Sequence, residues 1–220
     1  MHMIPGLYIF KNLLTVQEQE HLLAHISQGE WYYGKDGNQR GVQHYGAAYD
    51  YEKHTVAKDA DNNPIMFTLP NFIVGLCDKI SDHVKNSDQY PEKLKLVHDH
   101  QPHDQAFVSE YKKHYGILAH KDSCDYGDII TSVSLGHSTP FIFEKSGRPP
   151  VVVMLDAGDL LIMTDQARYE YTHSIPYSKI FRWNSDGPIV GQVKIEGKYE
   201  KFKRAKDYCR TSITMRHIKK

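Results

Sequence analysis

From about residue 94 onward the apolar residues leave the spacing of a helix and fall into short runs: "KLKLV", "QAFVSEY", "DIITSVSLG", "PFIFEK", "PVVVML", "DLLIMT", "QVKIEGKYEKF" and "RTSITMR". Gly, Pro, Asp and Ser separate them at short intervals. Alternation with a period of two sends successive side chains to opposite faces of a strand. Many such strands joined by tight turns signal an antiparallel sandwich or barrel, so the second half of the chain is expected to be an all-β core.

The first half carries a different period. In "TVQE", Thr15 and Glu18 form a capping box that opens a helix through Leu22, Leu23 and Ile26, ending near Gly29. Near "TLPN", Pro70 lies in the first turn of a second helix, with Phe72, Leu76, Ile80 and Val84 at four-residue spacing. Both read as amphipathic helices lying on something else. The fold class is therefore α+β, mainly β. At 220 residues, 40% hydrophobic and 25% charged, with no repeat and no Gly/Pro/Ser linker, the chain is expected to form one domain.

Charge and cysteine usage narrow the setting. Cys77, Cys124 and Cys209 are widely spaced and odd in number, which offers neither a disulfide framework nor a cysteine zinc site. No stretch approaches the roughly 18 apolar residues that span a bilayer, and "MHMIPGLYIF" has no signal-peptide pattern. A cytoplasmic or nuclear protein, with no membrane partner, is the expectation. Lys plus Arg balances Asp plus Glu at 27 each, yet residues 194–220 hold 10 basic against 3 acidic residues, a local +7. That strip could meet a phosphate backbone or be a solvated hairpin.

"AHKDS" sets His120 and Asp122 two positions apart, a spacing that puts both on one face of a strand. A second imidazole from downstream would complete two histidines and one carboxylate on one face of a metal, the non-haem Fe(II) arrangement. His173 in "YEYTHSIP" is the candidate. In "RTSITMR" one face reads Arg210, Ser212, Thr214 and Arg216, and the other Thr211, Ile213 and Met215. A cationic face turned inward needs an anion, because a buried unpaired guanidinium is costly. The strand spans about 20 Å over that length, so a short dicarboxylic acid lying between the two arginines fits better than a small ion. 2-Oxoglutarate is the dicarboxylate that partners such an iron.

In order, "SEYKKHYGILAHKDS", "DIITSVSLG", "GDLLIMTDQARYEYTHSIP" and "RTSITMR" resemble the AlkB family of Fe(II)/2-oxoglutarate-dependent dioxygenases, and "IPGLYIF" and "RGVQHYG" extend the likeness over nearly the whole chain. The wording is nearest to the tRNA-modifying members. The resemblance implies a double-stranded β-helix (jelly-roll) core at 94–220, with N-terminal helices packed on one sheet and a nucleotide-recognition flap within 1–93. It implies Fe(II) at His120, Asp122 and His173, with 2-oxoglutarate and O2 as cosubstrates. The 2-oxoglutarate contacts would be Tyr111, Ser109, Arg210, Ser212, Thr214 and Arg216, and Arg168 would orient a carboxylate from behind. Ser109 stands where the family has asparagine, and Cys124 where its H-x-D-x-D members have a base-selecting acid.

Substrate contacts are expected from "EWYYGKDGNQRGVQHYGAAYDY", whose aromatic residues alternate with Lys35 and Arg40 in a way that suits stacking on an exposed base. Arg40, Tyr45, Tyr51 and Cys124 are the candidates. The expected activity is hydroxylation or oxidative demethylation of a nucleic-acid base by a monomer, RNA or tRNA before alkylated DNA. A protein side-chain hydroxylase or demethylase of the same chemistry, and a non-catalytic nucleic-acid-binding module, are the alternatives. "HDHQPHD", residues 98–104, is the densest ligand cluster, yet it reads as a polar turn leading into a strand, leaving His98, His100 and His103 outside the metal centre.

Overall fold

The computed structural model describes residues 4–33, 40–50, 52–53, 55–177, 180–184, 189–190 and 199–219. A short strand, β1 (Leu7–Phe10), leads into α1 (Val16–Ser27), which begins where Thr15 can cap it. The Glu18 N–H donates to Thr15 Oγ1 at 3.3 Å and the Thr15 N–H donates to Glu18 Oε2 at 2.8 Å, so both arms of the capping box are made. Next come β2 (Gly41–Tyr45), β3 (Tyr49–Asp50) and β4 (Thr55–Val56). Then α2 (Asn71–Asn86), with Pro70 at its N-cap, buries Ile73, Leu76, Cys77, Ile80 and Val84. Each large apolar side chain so enclosed contributes about 1.5–3 kcal/mol.

α3 (Glu92–His100) follows. It replaces the strand expected at "KLKLV" and takes in the first half of "HDHQPHD". Pro91 supplies the fixed φ that opens a helix, and its carbonyl accepts from Leu94 N–H at 2.9 Å. Leu94 and His98, one turn apart, are both buried. Five alternating residues are too short a window to separate the two periods.

The remaining elements are β5 (Gln105–Lys112), β6 (Ile117–His120), β7 (Tyr126–Gly136), β8 (Thr139–Glu144), β9 (Val151–Leu155), β10 (Leu160–Met163), α4 (Asp165–Tyr169), β11 (Thr172–Ile175), β12 (Ile180–Asn184), β13 (Ile189–Val190), β14 (Tyr199–Lys203) and β15 (Cys209–Ile218). They form the two facing sheets of a jelly roll. The larger runs β1-β10-β7-β15-β5-β2 and the smaller β13-β9-β8-β11-β6, while β12 pairs with β14 and β3 with β4 outside them. The expected boundary at residue 94 does not divide sheet from buttress: β1 and β2 edge the larger sheet.

The larger sheet has two dissimilar faces. Ile213, Met215, Val108, Val133 and Ile162 pack with α1 and α2 in one core, and Phe143, Val153, Leu155, Leu161 and Met163 belong to a second core between the sheets. β15 is central, paired with β5 and β7 along almost its whole length. Gly136 makes that pairing possible at its start. Its φ is +78°, and a Cβ there would lie 2.6 Å from the Cys209 carbonyl oxygen. No helix among the described residues is long and apolar enough to cross a membrane.

Candidate active site

Between the sheets lies a cavity of about 940 Å³ whose floor is the polar face of β15. At one end, β6 and β11 pair with His120 directly opposite His173. Their ring centroids are 4.4 Å apart. Asp122 lies just past the end of β6, not within it, and is buried. Its Oδ2 lies 3.6 Å from His173 Nε2, and its Oδ1 accepts from Arg216 Nη2 at 2.6 Å. Among the described residues no three such side chains are already closed around one point; this trio stands open with Asp122 turned partly to Arg216.

The protonation states suit a cation. Burial above all pushes His173 down to about 4, overriding the carboxylate beside it, so the ring is neutral at physiological pH. His120 Nδ1 lies 2.8 Å from the Leu118 carbonyl, which makes Nδ1 the donor and Nε2 the ring nitrogen that would face a cation. Burial alone would raise the Asp122 carboxyl, but the adjacent guanidinium of Arg216, with that of Arg168, holds it below its ordinary value. A neutral His173, an ionised Asp122 and the imidazole of His120 are the donor types that divalent iron takes.

Arg168 is buried, as an orienting residue should be, but it does not touch the Asp122 carboxylate. Nη1 donates to the Asp122 carbonyl at 2.8 Å and Nη2 to the Ser123 carbonyl at 2.5 Å. It fixes the main chain that presents the carboxylate.

Along the floor, alternation sends Arg210, Ser212, Thr214 and Arg216 into the cavity. Cross-strand partners are Tyr111 for Arg210 and Ser109 for Ser212 on β5, and Ser134 for Ser212 and Ser132 for Thr214 on β7. Arg210 is 1% exposed. Among the described residues the one hydrogen bond of its side chain runs from Nη2 to Ser134 Oγ at 2.8 Å, with Cζ 5.4 Å from the Tyr111 ring centroid, while Nε and Nη1 are buried without a partner. Ser134 was not singled out from the sequence. Hydroxyls on an alternating strand carry no sign of which cation they will meet.

At the outer end, Arg40 lines the cavity with its guanidinium 5.9 Å from the Phe107 ring centroid. Tyr45 does not join it. Alternation along β2 gives the cavity position to His44, which stacks on Tyr49 at 4.5 Å. Tyr45 points to the helices, packing edge-on against Phe72 at 5.6 Å and donating to Gln43 Oε1 at 2.7 Å. Cys124 is exposed and outside the cavity lining. Tyr51 and Lys35 lie outside the described residues. The basic strip is corrected as well: Arg204, Arg210 and Arg216 turn inward, and Arg204 donates to the carbonyls of Lys113, Tyr115 and Pro176. These three arginines, of the strip's ten basic residues, do not add to a surface charge.

Comparison with known proteins bears on this geometry. Residues 6–216 match the family model described as the 2OG-Fe(II) oxygenase superfamily. A relative from Mus musculus, tRNA (carboxymethyluridine(34)-5-O)-methyltransferase ALKBH8, is 27% identical over 98% of this chain and 31% of its own length. One from Arabidopsis thaliana, alkylated DNA repair protein ALKBH8 homolog, is 29% identical over 80% of this chain and 52% of its own length. The chain thus spans about a third to a half of these curated relatives. The solved structure of OsALKBH1 superposes with a TM-score of 0.65 at 14% identity, covering 99% of both chains.

Proposed function

Because the chain belongs to the 2OG-Fe(II) oxygenase superfamily, we propose that the cavity holds Fe(II) at His120, Asp122 and His173, seats 2-oxoglutarate against β15, and oxidises a base of RNA. The family and the AlkB likeness make the protein a dioxygenase. Bound iron and the keto acid would supply the oxidising power, using O2 to convert 2-oxoglutarate to succinate and CO2 while a substrate C–H bond is hydroxylated.

The protein's own residues supply the rest. His173 enters neutral and Asp122 ionised, so neither has to release a proton when a cation arrives. Arg210 takes the distal carboxylate, with Tyr111 beneath the guanidinium and Ser134 behind it. Ser109, Ser212 and Thr214 line the wall with hydroxyls, and Leu161, Met163 and Ile175 exclude water from the same space. His44, Tyr49, Phe107 and Arg40 offer stacking faces and a cation where a splayed-out base would enter. The names of the curated relatives connect them with tRNA and with alkylated DNA; the choice of RNA rests on that and on this aromatic mouth.

The observation that carries the reading is Arg210, a wholly enclosed guanidinium with one hydroxyl partner, opening onto a cavity that ends in two imidazoles and a carboxylate. Anaerobic addition of Fe(II) and 2-oxoglutarate is expected to give a visible charge-transfer band, lost in His120→Ala and Asp122→Ala. Its persistence in both variants would sink the triad. With the band present, digestion of total RNA treated with enzyme and O2 is expected to show a nucleoside changed by mass spectrometry. Unchanged nucleosides would overturn the RNA substrate and leave the chemistry.

A further inference from the structure

Arg216 has neighbours of two kinds. It donates to Asp122 Oδ1, and its Cζ lies 4.4 Å from the Tyr126 ring centroid and 5.5 Å from that of Phe107. Rings attract a cation without engaging its N–H groups, and Arg216 Nε is buried with no hydrogen-bond partner among the described residues. The guanidinium therefore keeps its place in the wall whichever anion it faces. Asp122 is constrained differently. Arg168 pins the carbonyls of Asp122 and Ser123, so the main chain is fixed while the carboxylate can turn between Arg216 and the imidazoles.

From this arrangement we infer that Arg216 couples the metal position to the dicarboxylate position. The inference rests on the reading above, that a cation sits at His120, Asp122 and His173 and a dicarboxylate on β15. Without the dicarboxylate, Arg216 is neutralised, among the described residues, by Asp122 and draws that carboxylate's charge away from a cation. A second carboxylate arriving at the wall shares the guanidinium and returns Asp122 to the cation. Each ligand then binds more tightly in the presence of the other, and by the same factor. Arg210, tied to Ser134 at the far end of the row, sets dicarboxylate affinity without taking part in the coupling.

The test measures Mn(II) affinity by electron paramagnetic resonance with and without glutarate, which is 2-oxoglutarate lacking the keto oxygen and so cannot chelate through it. In the unaltered protein glutarate is expected to tighten Mn(II) binding about 5-fold or more. Arg216→Met is expected to bind Mn(II) more tightly alone and to show no response to glutarate. Arg216→Lys keeps the charge without the forked donors and is expected to reduce the response; it decides the matter should the methionine variant not fold. A full response retained in both variants overturns the inference, because glutarate would then be acting through direct contact with the metal. No response in the unaltered protein, with Mn(II) binding still lost in Asp122→Ala, overturns the coupling alone. Equal Mn(II) binding in Asp122→Ala and the unaltered protein overturns the triad beneath it.

Discussion

A guanidinium enclosed in protein loses its water and must recover that loss from hydrogen bonds or an opposite charge. Arg210 recovers only part of it in the ligand-free protein, through Ser134 and the face of Tyr111. Arg210→Met keeps the unbranched stem and removes the unsatisfied donors. It is expected to stabilise the ligand-free protein by about 1–3 kcal/mol in urea denaturation. By calorimetry the same change is expected to weaken 2-oxoglutarate binding at least about 30-fold, the equivalent of about 2 kcal/mol lost with a buried charge pair. A variant that is no more stable, or that still binds normally, removes Arg210 from the cosubstrate site. This residue was legible in the sequence because "RTSITMR" alternates a cationic face with an apolar one. Its partner Ser134 and the main-chain grip of Arg168 were not, since hydroxyls and carbonyls carry no directional signature along a chain.

β2 shows how much of a site depends on one step of register. Val42 and His44 face the cavity, whereas Gln43 and Tyr45 face the helices, so the two neighbouring aromatic rings of "QHY" serve different parts of the molecule. An aromatic-rich segment can be recognised from composition, but which ring turns inward is fixed by pairing with β5, where His44 stands opposite Phe107 and Tyr45 opposite Ala106. Tyr45→Ala is expected to lower stability by about 1–3 kcal/mol, through the lost contact with Phe72 and the lost hydrogen bond to Gln43, with little change in kcat. His44→Ala is expected to raise KM for the proposed RNA substrate several-fold, while also losing the ring contacts with Tyr49 and Phe107. Thermal melts and steady-state kinetics on the two variants check both expectations, and the opposite pattern would put Tyr45 at the mouth. α3 was misread for a related reason: its apolar residues suit either period until Leu94 and His98 are seen packed on the sheet.

At the scale of the whole molecule, two histidines of "HDHQPHD" bear on how the fold responds to acid. His98 is buried, and its ring meets that of His103 edge-on at 5.0 Å. His103 Nε2 lies 2.9 Å from Thr131 Oγ1, and its Nδ1 is enclosed with no hydrogen-bond partner among the described residues. Burial, helped by the charges of His98 and His217, pushes His103 down to about 3, and burial, then Arg216 and Arg40, pushes His44 down to about 4. An unfolded imidazole titrates near 6.5, so below that pH the unfolded chain binds more protons than the folded one. The stability these neutral rings hold is complete above about pH 6.5 and is lost as the pH falls toward 4 and then 3. Each ring costs up to about 1.4 kcal/mol per pH unit in that window, against a total of about 5–15 kcal/mol for a domain. The protein is therefore expected to unfold cooperatively between about pH 6 and 4, followed by far-UV circular dichroism. His103→Gln keeps a polar end for Thr131 but has no proton to take up, and is expected to move the midpoint down by about half a pH unit or more. A midpoint that does not move would show that the buried imidazoles of α3 and the following turn are not what acid attacks first.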